Sequence, residues 1–195
     1  MAFELAVVGA SWGGIAALGQ LARDLDPGSV LALAVALHRG ADGPEGALVS
    51  YLTARCRLPV SEAEDKDEIE PGHLYLAPAD YHLLVEPGRF ALSLEAPVQH
   101  SRPSVDVLFE SAAHAYGGRL VAAVLTGAND DGSRGIRRVK DCGGVTLAQD
   151  PDTAERREMI DAAIATGAVD RILTLQGIAD ALNDLGRLPV RGYRQ

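Results

Sequence analysis

Val7-Val8-Gly9-Ala10-Ser11-Trp12-Gly13-Gly14 is the stretch on which the fold turns. An apolar run ends at a serine held between glycines, and an Ala/Leu-rich segment follows at once. That order reads as a buried strand, a tight loop and a helix N-terminus. Glycine lets the loop backbone enter the φ > 0 region and come close to a ligand, while the first amides of the helix lack internal partners and favour negative charge. An oxyanion and a phosphate fit such a loop equally well.

Outward from this loop, apolar runs and helical patterns alternate. Strands are expected at residues 3–8, 29–37 and 58–63, with helices at 14–25 and 45–55 between them. Near-continuous apolar strands separated by helices predict a parallel sheet covered on both faces, with right-handed crossovers. From 73 to 94 the rhythm shortens. Segments 73–77, 81–85 and 89–94, broken by Pro78-Ala79-Asp80 and Pro87-Gly88, read as an antiparallel meander or hairpin inserted beside the main sheet. Ser104 then caps a helix to about residue 116, with Asp106 in its first turn. The remainder alternates again: a strand at 119–125, the loop 126–133, a helix to 141, a strand at 144–148, a largely helical stretch at 153–166, a strand at 168–174 and a helix at 175–185. The expected class is α/β, a doubly wound, mostly parallel sheet in a Rossmann-like three-layer sandwich, formed by one domain over residues 1–195.

Composition narrows the function. Twenty-seven acidic against 18 basic residues give a net charge of −9, which opposes nucleic-acid or anionic-membrane binding, since both need a basic face. No apolar run is long enough to span a bilayer, and Glu4 stands where a secretory signal would carry a basic residue. A cytoplasmic protein without direct membrane insertion is expected. Cys56 and Cys142 are isolated, so they suggest neither a disulfide framework nor a zinc site. His73 and His82 lack a third ligand at suitable spacing, so no metal is expected. The serine loop also departs from the dinucleotide spacing, and no cofactor is expected.

Ligands of open parallel sheets bind at the carboxyl ends of strands, and three such ends carry Ser11, His38 and the Asp130-Asp131 pair. A serine becomes a nucleophile when an imidazole takes its proton, and the imidazole needs a carboxylate to fix its tautomer. Gly9-Ala10-Ser11-Trp12-Gly13 also fits the G-x-S-x-G elbow, in which the amide after the nucleophile, here that of Trp12, helps to hold an oxyanion with support from Gly13. The chain order Ser, His, Asp differs from that of α/β-hydrolases. Structural roles for each residue, and a phosphate-binding α/β domain, remain open on these signals alone.

The sequence resembles the catalytic domain of the chemotaxis protein-glutamate methylesterase (CheB) family over nearly its whole length. The resemblance rests on Gly9-Ala-Ser-Trp-Gly-Gly14, Leu37-His-Arg39, Gly72-His-Leu-Tyr-Leu-Ala-Pro78, His82-Leu-Leu-Val85, Arg102-Pro-Ser-Val-Asp-Val-Leu-Phe109, Leu125-Thr-Gly127 with Asp131-Gly132, and Ala148-Gln-Asp-Pro151. It implies hydrolysis of glutamate methyl esters, and deamidation of glutamines, on methyl-accepting chemotaxis receptors. By position, Ser11 is the nucleophile, His38 the general base and acid, and Asp131, which directly precedes Gly132, the orienting carboxylate, with Asp130 as fallback. Trp12 stands where the family usually has threonine, Arg39-Gly40 replaces Met-Pro, Ala128-Asn129 replaces Met-Gly, and Glu158-Met-Ile160 replaces Gly-Met-Pro. A phosphorylatable receiver domain usually precedes this domain, whereas here the serine loop begins within a dozen residues of Met1; constitutive activity or a separate regulator protein is therefore expected. A catalytically weak domain that binds receptor or signalling partners is the alternative. Arg39, Arg102 and Arg134 are candidates for a rim that faces the acidic receptor helices.

Overall fold

Strand β1 (Leu5–Ala10) is buried along its whole length, with Leu5 and Val7 on one face of the sheet and Ala6, Val8 and Ala10 on the other. This two-sided burial is why its sequence reads as a continuous apolar run. The computed structural model describes residues 3–40 and 46–187. In chain order the elements after β1 are α1 (Gly14–Arg23), β2 (Ala32–Leu37), α2 (Ala47–Thr53), β3 (Val60–Glu62), β4 (Leu74–Leu76), β5 (His82–Glu86), β6 (Arg89–Ser93) and α3 (Val105–Tyr116). They continue with β7 (Leu120–Val124), α4 (Ser133–Asp141), β8 (Val145–Gln149), α5 (Glu158–Ala165), β9 (Arg171–Leu173) and α6 (Leu175–Leu185). Glu45, the expected start of the second helix, lies outside the described residues.

The main sheet has the order β3-β4-β2-β1-β7-β8-β9, and every neighbouring pair is parallel. From β1 the first half of the chain builds outward through β2 to β4 and β3, and the second half starts again at β7 on the other side of β1. The winding direction therefore reverses beside β1, the position at which ligands bind in such sheets. Leu18, Leu21, Leu52, Ile178 and Leu182 of α1, α2 and α6 close one face; Leu108, Phe109, Ile136, Val139 and Met159 of α3, α4 and α5 close the other. The expected three-layer sandwich is the observed one.

Two local expectations are corrected. Residues 73–77 do not belong to an antiparallel meander: β4 lies inside the main sheet, paired in parallel with both β2 and β3, and the antiparallel piece is the two-stranded hairpin β5-β6 alone. All three residues of β4 are buried; the strand is so short, and so closely bracketed by Gly72 and Pro78, that only its tertiary partners separate it from a hairpin arm. The stretch 153–166, expected to be largely helical, is α-helical only over Glu158–Ala165. Thr126 Oγ1 accepts from Arg156 N–H at 3.0 Å and stands 3.0 Å from Arg156 O. Arg156 O also accepts from Gly127 N–H. With its backbone engaged there, the chain turns helical only at Glu158.

Candidate active site

The register of the sheet builds the site. Ala10 and Leu37 are paired Cα partners, so Ser11 and His38 emerge side by side from the ends of β1 and β2, on strands about 4.8 Å apart. His38 N–H donates to Ala10 O at 3.0 Å, and Ser11 N–H donates to Thr126 O at 2.9 Å, which ties the ends of β2, β1 and β7 into one edge. Gly9 keeps this edge close to α3, since a Cβ there would stand 2.3 Å from Val105 Cγ1. Gly13 enters α1 at φ 77°, the left-handed conformation its position suggested. The Trp12 and Gly13 amides donate to no protein acceptor among the described residues, so both are available at the N-terminus of α1.

Asp131 is the carboxylate that meets His38. Its Oδ2 lies 2.7 Å from His38 Nε2, with the imidazole 11% exposed and the carboxylate fully buried. Asp130 is exposed and takes no part. The remaining lone pairs of Asp131 are spent on α3: Oδ2 accepts from Val105 N–H (2.8 Å), and Oδ1 accepts from Asp106 N–H (2.9 Å) and Ser104 Oγ–H (2.9 Å). Burial pushes this carboxyl's pKa up, but the hydrogen bonds from His38 and the two amides outweigh it and hold the group below the usual carboxylate value. Asp106 returns the favour, accepting from Gly132 N–H and Gly135 N–H at the start of α4 and from Arg134 Nε–H. Here burial dominates, and with the charge of Asp131 it raises the Asp106 pKa. The start of α3 is thus capped by a carboxylate from the loop leading into α4, and the start of α4 by a carboxylate of α3. The sequence reading found the capping role of Ser104 but missed the reach of Asp106, whose partners lie 26 and 29 residues away.

An ionised carboxylate only accepts, so Nε2 carries the imidazole proton and Nδ1 presents its lone pair. Ser101 Oγ and Asn129 Nδ2 each stand 3.3 Å from that Nδ1. The Ser11 hydroxyl makes no hydrogen bond among the described residues. Beside the imidazole lies a cavity of about 330 Å³ lined by His38, Arg39, Gly40, His100, Ser101 and Arg102.

The CheB methylesterase family description matches residues 6–182. The chain belongs to this family. A CheB-family relative from Anaeromyxobacter dehalogenans (strain 2CP-C), named protein-glutamate methylesterase/protein-glutamine glutaminase 2, is 43% identical over 184 residues, which are 94% of this chain and 54% of the relative. A relative from Leptospira interrogans (strain Fiocruz L1-130), whose name includes protein-glutamate methylesterase/protein-glutamine glutaminase, is 40% identical over 181 residues, 92% of this chain and 93% of that one. The crystal structure of the Thermotoga maritima CheB methylesterase catalytic domain superposes with a TM-score of 0.88 at 31% identity, covering 95% of this chain and all of that one. The chain thus spans nearly the whole Leptospira relative and about half of the Anaeromyxobacter protein.

Within this CheB fold, Trp12 is held rather than loose. Its side chain is 58% exposed, its Nε1–H donates to Glu155 Oε1 at 2.8 Å, and the Arg156 guanidinium sits 5.6 Å from its ring. Thr126 Oγ1 lies 2.9 Å from Trp12 O and fastens the serine loop to the end of β7. Each arginine of the expected rim has an acidic partner: Arg39 pairs with Glu62, Arg134 with Asp106 and Glu110, and Arg102 with Asp80. Arg102 also donates to Leu94 O and Glu95 O, so its guanidinium clamps the loop before α3. The two histidines set aside as metal ligands have structural bonds: His73 Nε2 with Ser61 Oγ, and His82 between Ser104 N–H and Ala96 O. Among the described residues, no helix is long and apolar enough to cross a membrane.

Proposed function

We infer that the protein is a serine esterase that removes methyl groups from glutamate methyl esters on methyl-accepting chemotaxis receptors, and deamidates glutamines at equivalent positions, with Ser11, His38 and Asp131 as its triad. The observation that carries this reading is the adjacency of Ser11 and His38 at register-paired strand ends, with Asp131 hydrogen-bonded to the far nitrogen of the imidazole. Ser11 Oγ attacks the ester carbonyl carbon while His38 Nδ1 takes its proton. The tetrahedral oxyanion faces the Trp12 and Gly13 amides at the N-terminus of α1. When the bond between the carbonyl carbon and the methoxy oxygen breaks, His38 returns the proton to the departing methanol. Water then attacks the glutamyl-enzyme with His38 again as base, and Ser11 leaves as the alcohol. With a glutamine side chain the departing group is ammonia. Family membership and the names of the relatives support the reaction class; the receptor substrate, a cytoplasmic location and a separate regulator protein complete the proposal.

Methanol release from methylated receptor of the same organism tests it, with Ser11→Ala beside the wild type. Loss of release in the variant is expected, and unchanged turnover would end the triad assignment. One observation favours a second reading, a domain that binds receptor or signalling partners without appreciable turnover: the lone pair of His38 faces Ser101 and Asn129 instead of Ser11. A serine-directed phosphonate separates the two, since a binding module leaves Ser11 unlabelled.

A further inference from the structure

Asn129 touches both members of the His38-Asp131 pair. Its Oδ1 accepts from Asp131 N–H at 3.3 Å. A backbone N–H is always a donor, so this contact fixes which end of the carboxamide is oxygen and leaves the NH2 facing His38 Nδ1 at 3.3 Å. Ser101 Oγ approaches the same nitrogen at the same distance from the opposite loop, which the Val98–Ser101 bridge holds and which forms part of the cavity wall. An imidazole nitrogen has a single in-plane lone pair. Two donors already compete for it, and the hydroxyl that must reach it, that of Ser11, is unengaged.

We propose that Asn129, seconded by Ser101, is a positioning residue that latches the general base: it occupies the proton-accepting nitrogen of His38 in the resting protein, and the Ser11 hydroxyl engages only when the latch lets go. The proposal rests on the reading of Ser11, His38 and Asp131 as a triad. It assigns a role to a carboxamide that the hydrolytic steps themselves do not use. Neutral hydrogen bonds of this kind carry modest net weight, so removing one donor should shift the balance toward Ser11 by about two- to tenfold. Ser101 faces the cavity, so a ligand that fills the cavity contacts the latch directly.

The test is the rate of phosphonylation by a fluorophosphonate, followed by intact mass and by mapping of the adduct. In that reaction the Ser11 Oγ–P bond forms, the P–F bond breaks, the serine proton passes to His38 Nδ1 and fluoride leaves. Asn129→Ala and Ser101→Ala should each raise the limiting rate at saturating probe about two- to tenfold, with the half-saturating concentration unchanged and the label on Ser11; the double variant should exceed either. Structural damage slows such a reaction, so an acceleration is not open to that explanation. Ser101→Ala carries the test alone if Asn129→Ala does not fold. A labelled wild type with no acceleration in the folded variants overturns the latch alone, and so does an adduct on Ser101. No serine labelled in any folded protein overturns the triad reading, and the latch with it.

Discussion

Replacing Asp131 by asparagine should do far more harm than the same change at Asp106, although both carboxylates are fully buried and lie at the same junction. In Asp131→Asn one oxygen can still accept from Ser104 Oγ–H and Asp106 N–H, but the new NH2 meets Val105 N–H and the His38 Nε2–H. Turning the amide over restores an acceptor for His38 Nε2–H and Val105 N–H but sets the NH2 against Asp106 N–H, and in either orientation the imidazole loses its anionic partner. An unsatisfied buried amide costs about 1–3 kcal/mol, and a lost hydrogen bond to a charged group about 1.5–3 kcal/mol. A total of about 3–5 kcal/mol is expected, in the range for breaking one side of a buried pair, which leaves a protein of ordinary stability folded. In Asp106→Asn, Oδ1 keeps both the Gly132 and Gly135 amides, and the NH2 displaces only Arg134, an exposed guanidinium with Glu110 as second partner. That change should cost no more than about 1 kcal/mol. Urea unfolding with unchanged slope measures both. On activity, Asp131→Asn should lower kcat by about 10³–10⁴-fold, as expected when a triad imidazole loses its orienting carboxylate, while Asp106→Asn stays within a few-fold. The pH dependence has opposite signs at the two sites. Asp131 is held below its unfolded value, near 3.9, so its stabilisation is present above that value and lost as pH falls through the folded one. Asp106 is raised, so its contribution is greatest below the unfolded value and is lost as pH rises through the folded one; the cost of Asp106→Asn should therefore shrink as pH rises above the unfolded value. Equal costs for the two variants, or a larger one at Asp106, would refute the reasoning.

Two further outcomes are expected. In Gly127→Ala the added methyl would lie 2.4 Å from Met159 Sδ and 2.9 Å from Ser11 Cβ. Gly127 is fastened by its N–H to Arg156 O and by its C=O to Met159 N–H, so overpacking of about 1–3 kcal/mol should appear in a thermal melt, with kcat reduced about 10- to 100-fold by displacement of the serine. For the proposed receptor rim, Arg39→Glu and Arg134→Glu should raise KM for methylated receptor several-fold at nearly constant kcat; a loss confined to stability, through Glu62 or Asp106, would remove them from the rim.

Much of the scaffold was legible because parallel strands buried on both faces write themselves as uninterrupted apolar runs. The candidate site was legible where such runs stop: Ser11 and His38 directly follow β1 and β2, Asp131 lies in the loop after β7, and sheet topology makes neighbours of positions far apart in sequence. What escaped was pairing with no local trace. Leu74-Tyr75-Leu76 has the length and flanks of a hairpin arm and becomes an interior strand only through its β2 and β3 partners. Asp106 reads as a first-turn acid for its own helix, yet its side chain serves α4. Glu155 on Trp12 and Asn129 on His38 bridge 143 and 91 residues, and nothing in their immediate surroundings announces either contact.

The crossed carboxylates at the junction of α3 and α4 place unequal constraints on the three residues of the proposed triad. Asp131 holds together two helices and a strand end, so a descendant that abandoned hydrolysis would still need it for packing, and with it a donor for its fourth acceptor site. The Ser11 hydroxyl makes no hydrogen bond to the scaffold among the described residues, and its loss there carries no hydrogen-bond penalty. Drift away from enzymatic use would therefore erode the serine first and leave an acid and a histidine that still look functional. In this chain it is the presence of Ser11, more than the intact His38-Asp131 pair, that speaks for retained turnover.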